Sequence, residues 1–286
     1  MLMYRLVTAI ILAAVFLVTL FATSPLVFIG FCFFALAMAS WEWAAFAELK
    51  KVYQPVLFVA ANGILMLLVA SATGFVEFAV IKGVVSQNLL LALFSVGIAF
   101  WFCMFAVLLG YPGSQRFLKA KITRLLMGVI LLLVAWASLL YLRHQEGGQF
   151  WVLYVVAVVA AADIGAYFFG KLFGSRKLAP AVSPGKTWEG FAGGLVVSQL
   201  FALGLFVYFS LAKQSPLPSL DILLFVTALL AAVSVLGDLF ESILKRGCGL
   251  KDSGSILPGH GGILDRLDGL VAALPVFAFI FMLQGW

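Results

Sequence analysis

The chain is written as long apolar runs separated by short polar breaks, and few folds accept such a pattern. Runs of about 17 to 25 residues match the thickness of a bilayer core crossed by a helix. They fall at 6–23, 25–46, 55–72, 89–109, 125–142, 150–169, 191–211, 221–243 and 268–284. A segment surrounded by lipid must satisfy its own backbone hydrogen bonds, and runs of this length do so as α-helices. Only 10% of the 286 residues are charged, against about a quarter in soluble domains, and the mean hydropathy is +1.16. The pattern therefore predicts an all-α integral membrane protein, a polytopic bundle of about nine transmembrane helices.

The basic residues give an independent reading of that number, because short cytoplasmic loops collect Lys and Arg. With the N-terminus in and the C-terminus out, fifteen of the eighteen Lys and Arg fall on the cytoplasmic side, and only Lys82, Arg143 and Lys213 fall opposite. One span too many or too few would scramble this bias. The net charge of +6 is mostly this topology signal, and without a basic stripe interleaved with exposed aromatics no nucleic-acid partner is expected. Residues 1–24 resemble a secretory signal, with Arg5, an apolar run and a small-residue end at Ala22-Thr23-Ser24, but the run is long and eight more follow, so an uncleaved first span is expected. Cys32, Cys103 and Cys248 are scattered, and with two histidines they form no zinc pattern.

Polarity is unevenly distributed. Residues 1–150 read as five spans with short loops and few polar groups inside the membrane, and residues 151–286 read as four spans with two substantial cytoplasmic loops, near 170–190 and 244–267. The basic loop at 110–124 has no acidic residue and reads as an anchor near anionic headgroups.

Three polar clusters in the second half fall on one side of the membrane. In Ala162–Gly170, Asp163 and Tyr167 share a helix face. An intramembrane Asp costs about 2.5–3.5 kcal/mol on insertion, so it signals a ligand or a packing partner in a neighbouring span. In Ser183–Gly190, Pro184-Gly185 makes a turn, and Ser183, Lys186 and Thr187 can donate to phosphate from a helix start, with Glu189 in the first turn. An ordinary capped helix entry has the same spacing. A Walker loop is excluded, since Pro180 stands where that motif needs Gly. In the third cluster, Asp238, Glu241, Ser242 and Lys245 follow i, i+3, i+4, i+7 and share one stripe. A glycine-rich loop with Lys251, Asp252 and His260 follows, then Asp265, Arg266 and Asp268 at the start of the last span. A salt-bridged seam between spans eight and nine is the plain alternative. Carboxylates without paired Cys or His favour a hard cation such as Mg²⁺, and Lys and Arg beside them suit phosphoryl oxygens.

Ser242-x-Leu244-Lys245-Arg246, Lys251-Asp252, His260-Gly261-Gly262 and Asp265-Arg266-x-Asp268 resemble throughout the signature of the bacterial phosphatidate cytidylyltransferases, also called CDP-diglyceride synthetases. Ser183-Pro184-x-Lys186-Thr187-x-Glu189-Gly190 and Asp163 with Ala166-Tyr167 are similar to two further family motifs, with Gly185 where many relatives have a second Lys. The resemblance implies that phosphatidate, a membrane lipid, attacks the α-phosphorus of CTP, giving CDP-diacylglycerol and pyrophosphate. It implies Mg²⁺ held by Asp238 and Asp265, and suggests a second cation such as K⁺. Asp163 and Asp268 are further candidates as ligands or as partners of ligands. Lys186, Lys245, Arg246 and Arg266 are the expected phosphate binders, with Ser183 and Thr187 as hydroxyl donors and His260 as a phosphate-orienting or proton-carrying group. Lys251 and Asp252 complete the expected catalytic set, and Tyr167, Glu189, Glu241 and Ser242 the substrate-binding one. The resemblance covers the second half strongly and the first half only as a pattern of spans. The expected location is the bacterial inner membrane with the site on its cytoplasmic side, and close packing of spans suits a homodimer. A polyprenol-kinase or CDP-archaeol-synthase activity shares this architecture. An ion or lipid transporter fits less well, because the polar groups cluster on one face and the halves show no inverted symmetry.

Overall fold

The computed structural model describes residues 2–75, 87–212, 217–257 and 261–285, with side chains from residue 7 onward. Its helices are α1 (Leu2–Phe21), α2 (Pro25–Phe46), α3 (Tyr53–Ala72), α4 (Gln87–Leu109), α5 (Lys121–His144), α6 (Gly148–Phe173), α7 (Trp188–Leu211), α8 (Leu220–Gly247) and α9 (Leu264–Gln284). They coincide in order with the nine expected spans. Among the described residues α2 to α9 are long and apolar enough to cross a membrane, and α1 contributes the shorter apolar stretch Val7–Phe21.

Local sequence fixes several of these ends. Ser24 accepts a hydrogen bond from Val27 N at 3.4 Å and Pro25 opens α2, where its missing N–H is no loss. Gly147, at φ +65°, makes the tight reversal between α5 and α6, a conformation that glycine adopts without strain. Between α6 and α7 a small antiparallel hairpin, β1 (Lys177–Ala179) and β2 (Ser183–Thr187), replaces the simple turn expected at Pro184-Gly185. The chain reverses instead at 180–182, where Val182 N bonds Ala179 O at 3.1 Å and the Val182 side chain is buried. A five-residue strand containing Pro and Gly carries almost no periodic signal, which is why the sequence pattern does not disclose it.

The two halves of the chain share one core. Phe240 of α8 is ringed by Trp43 of α2 and by Phe100 and Trp101 of α4, with ring centroids 5.7–6.4 Å apart. Buried indoles find acceptors, Trp43 Nε1 on Arg124 O at 2.7 Å and Trp136 Nε1 on Met66 O at 2.8 Å. Helices α6 and α7 approach so closely that a Cβ on Gly165 would lie 2.6 Å from Gly193 O, and one on Gly194 2.7 Å from Ala162 O. Small residues permit such approach where lipid gives helices no hydrophobic reason to associate.

The ends of the bundle agree with the alternation of loops. At one end the segment after α2, the 110–120 segment and the end of α8 meet around Arg124. At the other, Gly74, Phe75, Gln87, His144 and Gly285 gather around a cavity of about 560 Å³. Within the 110–124 segment Arg116, Lys119 and Lys121 are exposed, and Arg124 stands apart from them. Arg124 is buried, and its guanidinium donates to Leu118 O at 2.6 Å, Phe46 O at 2.8 Å and Glu48 Oε1 at 2.7 Å, with Cys248 Sγ at 3.4 Å. It ties three same-side segments together and holds the Glu48 carboxyl below the usual range. Its acidic partner comes from another loop, so a scan of 110–124 alone misses it.

Removing this guanidinium should expose its worth. Arg124→Ala strands buried carbonyls and should cost about 2–4 kcal/mol, read as a lowered thermal midpoint of the detergent-solubilised protein. Arg124→Lys should restore little, because an ammonium lacks the planar fork. A midpoint unchanged by either substitution would contradict the riveting role.

Candidate functional site

The last three turns of α8 carry Asp238, Glu241, Ser242, Lys245 and Arg246, and the first two of α9 carry Asp265, Arg266 and Asp268. Helical spacing sets Glu241 and Lys245 one turn apart, with Nζ and Oε1 separated by 3.7 Å. The same Nζ donates to Asp265 Oδ1 at 2.6 Å, so one ammonium joins the end of α8 to the start of α9. The other Asp265 oxygen accepts from Ser253 N, Ser253 Oγ and Gly262 N, each at 2.9 Å. Glu241 is buried and receives no N–H or O–H donor; Lys245 and the Asp268 carboxyl are its electrostatic neighbours.

A second group faces a cavity of about 450 Å³ between α6, the hairpin and α8, lined by Asp163, Tyr167, Lys171, Lys186, Thr187 and Asp238 among others. Lys186 of β2 pairs with Asp238 Oδ2 at 2.5 Å, and the Asp238 side chain keeps 36% of its surface open. Asp163 lies within electrostatic reach of Asp238, Lys186 and Arg266. Asp268 interacts with Asp238 and Lys186 on one side and Glu241 on the other, and so connects the cavity to the α8–α9 end. Of the residues lining the cavity Tyr167 is 61% exposed, with Lys171 Nζ 5.8 Å from its ring, and Ile164, Phe168 and Phe173 elsewhere on α6 are also more than half exposed.

Other expected site residues have structural work. Thr187 Oγ1 accepts from Gly190 N at 3.1 Å and caps α7, the plain helix-entry role. Glu189 accepts from Ser175 N, Ser175 Oγ and Arg176 N at 2.6–3.2 Å, fastening the chain before β1. Ser183 sits half-buried at the start of β2, opposite Ala179. Ser242 is half-buried on α8, while Arg246, Lys251, Asp252 and Arg266 are exposed around the loop. His260 lies outside the described residues. Burial pushes the Cys248 thiol upward, so this loop cysteine is a poor thiolate nucleophile.

One participant comes from the half that seemed poor in polar groups. Glu42 of α2, 3% exposed, accepts from Ile263 N at 3.0 Å, Leu264 N at 2.9 Å and Ser253 Oγ at 3.1 Å. It supplies the cap that α9 lacks locally, since Ile263 has no side-chain acceptor. Gly254 and Gly262 pack where any side chain would strike this carboxylate. The signal was available in the sequence, because a Glu between two Trp inside an apolar run demands a partner.

Asp163, Asp238, Glu241, Asp265 and Asp268, five carboxylates, thus stand with three bases, Lys186, Lys245 and Arg266, along one end of the bundle. Among the described residues no three His, Cys, Asp or Glu side chains form a metal cage. Carboxylates in excess beside ammonium groups suit a polyphosphate that brings its own cation.

Comparison with known proteins places the whole chain in one family. The cytidylyltransferase family profile matches residues 3–284. Among curated relatives, the phosphatidate cytidylyltransferase of Pseudomonas aeruginosa is 38% identical over 286 residues, covering 100% of this chain and 99% of that protein. The phosphatidate cytidylyltransferase of Haemophilus influenzae is 37% identical, covering 98% and 99%. A protein of the same name from Bacillus subtilis is 48% identical over 139 residues, 49% of this chain and 50% of its own. The chain belongs to the cytidylyltransferase family.

The charge arrangement makes its own forecast. Lys245→Met leaves Glu241 and Asp265 without their shared cation and should cost about 3–5 kcal/mol, as removal of one member of a buried ion pair does. Glu241→Gln added to it should recover part of the lost thermal midpoint, since one uncompensated carboxylate is gone. A double variant no more stable than Lys245→Met would show that Glu241 is not part of the balance.

Proposed function

We propose, taking that membership as the premise, that this chain is a phosphatidate cytidylyltransferase acting at the cytoplasmic face of a bacterial inner membrane. It converts CTP and phosphatidate to CDP-diacylglycerol and pyrophosphate. The observation that carries the reading is the Lys186–Asp238 pair in a cavity whose α6 wall includes the exposed Tyr167. Such a site receives a nucleotide from water and a diacyl lipid sideways from the bilayer. No nucleic-acid partner enters the reading.

The phosphate oxygen of phosphatidate attacks the α-phosphorus of CTP, an oxygen–phosphorus bond forms, and the bond to the bridging oxygen of the β-phosphate breaks with pyrophosphate as leaving group. The lipid phosphate is already ionised at neutral pH, so the chain's task is positioning and charge neutralisation rather than proton removal. Lys186, on the hairpin over the cavity, neutralises phosphate oxygens there. Arg266 and Arg246, exposed at the α8–α9 end, take the leaving pyrophosphate from the water side.

The donor set fits Mg²⁺, which takes one or two carboxylates and completes its shell with water and substrate phosphate. Asp238 and Asp265 would hold it, and when bound it would neutralise oxygens of the nucleotide phosphates. Asp238 has open surface toward the cavity. Asp265 is already oriented by Ser253 and Gly262 and neutralised by Lys245. For a second cation such as K⁺, Glu241 and Asp268 offer the adjoining carboxylates.

Purified full-length protein with phosphatidate, Mg²⁺ and CTP labelled on the α-phosphorus should place the label in the lipid phase and release one pyrophosphate per turnover. Lys186→Met should slow this by about 100-fold or more, the scale on which lost charge stabilisation acts. Label in lipid only from γ-labelled nucleotide would indicate a kinase, and none from either would overturn the reading.

A further inference from the structure

We propose that Glu42, on the second helix and more than 200 residues from the signature, is a positioning residue for the nucleotide side of the site, acting through Ser253 on Asp265 and Lys245. The inference rests on the cytidylyltransferase reading and deepens it.

Ser253 is the hinge of the connection. Its Oγ lies 3.1 Å from Glu42 Oε2 and 2.9 Å from Asp265 Oδ2, and its backbone N bonds the same Asp265 oxygen at 2.9 Å. Asp265 in turn holds Lys245 Nζ at 2.6 Å. A single hydroxyl has one proton for two carboxylate acceptors, so it donates to one of them at a time. The backbone donors decide the sharing: Ile263 N and Leu264 N serve Glu42, while Ser253 N and Gly262 N serve Asp265. Both carboxylates are thereby held at fixed distances from the start of α9, which carries Asp265, Arg266 and Asp268.

The described parts of the loop, 248–257 and 261–263, have little regular structure of their own, and the bonds accepted by Glu42 from Ser253 and Ile263 tie both parts to one buried carboxylate of α2. Glu42 is not among the residues that line the cavity, and its hydrogen bonds go to Ser253, Ile263 and Leu264. Its influence on the reaction must therefore pass through the loop, Asp265 and the α9 terminus.

A positioning role and a merely stabilising one differ in what they move. Glu42→Gln replaces one acceptor oxygen by an amide donor facing either Ile263 N–H, or Leu264 N–H and the Ser253 hydroxyl, which loosens the α9 terminus without changing volume. Expected is a rise of about 5-fold in KM for CTP and a fall of about 30-fold in kcat/KM per folded protein, with KM for phosphatidate within about 2-fold; losses of this size follow small misplacements of a site. Glu42→Asp, a shorter carboxylate, should recover part of kcat/KM. In a Ser253→Ala background the Glu42→Gln effect should shrink to about 3-fold or less, since residues in one network are not additive.

Wild-type activity is the control that separates the two readings. An inactive wild-type protein overturns the cytidylyltransferase assignment itself. With active wild type, unchanged KM for CTP and kcat/KM in Glu42→Gln overturn the positioning role. So does a Glu42→Gln effect that multiplies in full with Ser253→Ala. If Glu42→Gln does not fold, Ser253→Ala and Glu42→Asp carry the test, and an unaltered KM for CTP in both overturns it.

Discussion

A lysine shared between two helices sets the conditions for everything at this end of the molecule. Lys245 stands 2.6 Å from Asp265 and 3.7 Å from Glu241, with only 14% of its side chain exposed. Carboxylates at the ends of apolar helices are tolerated only when solvated, paired or bound, and this one ammonium makes the convergence of α8 and α9 possible. The remaining carboxylates, Asp163, Asp238 and Asp268, are arranged around Lys186 in the same way. The bundle therefore concentrates charge that a polyphosphate and its cation can exchange with, inside a scaffold otherwise built of Leu, Phe, Val and Ala.

The scaffold explains how a site made from distant segments stays in register. Helix α2 reaches it twice, through Glu42 beneath the loop and through the Phe46 carbonyl bonded to Arg124. Phe240 packs among Trp43, Phe100 and Trp101, locking α8 to the first half of the chain just one residue before Glu241. The glycine-lined contact of α6 with α7 brings the hairpin over the cavity, and places Lys186 opposite Asp238. Tyr167, on the α6 wall of that cavity, keeps most of its surface exposed.

Much of this was legible in the sequence, and the reasons differ between parts. Nine apolar runs mark the nine α-helices among the described residues, eight of them long and apolar enough to cross a membrane, because lipid dictates their length. The groups Asp163, Lys186 and Asp238, and Lys245 with Asp265, stand out because charge is rare in such a chain. The hairpin was not visible, since five residues with Pro and Gly do not alternate. Thr187 and Glu189 carry two readings in sequence, a substrate contact and a capped helix entry, and their oxygens are engaged at that entry, Thr187 with Gly190 N and Glu189 with Ser175 and Arg176. Glu42 and Arg124 lie outside the dense clusters of charge, and as isolated buried charges they signal long-range partners instead. Pairings across 200 residues leave no local trace.

The central claim is that nucleotide binds at the charged end of the bundle, between the hairpin and the α8–α9 loop. Amide hydrogen exchange on the full-length protein, with and without CTP and Mg²⁺, tests it most directly. Slower exchange is expected in 177–187 and in 244–257, with residues 141–145 and 73–75 at the opposite end unaffected. Protection confined to that opposite end, or none at saturating CTP, would contradict the account.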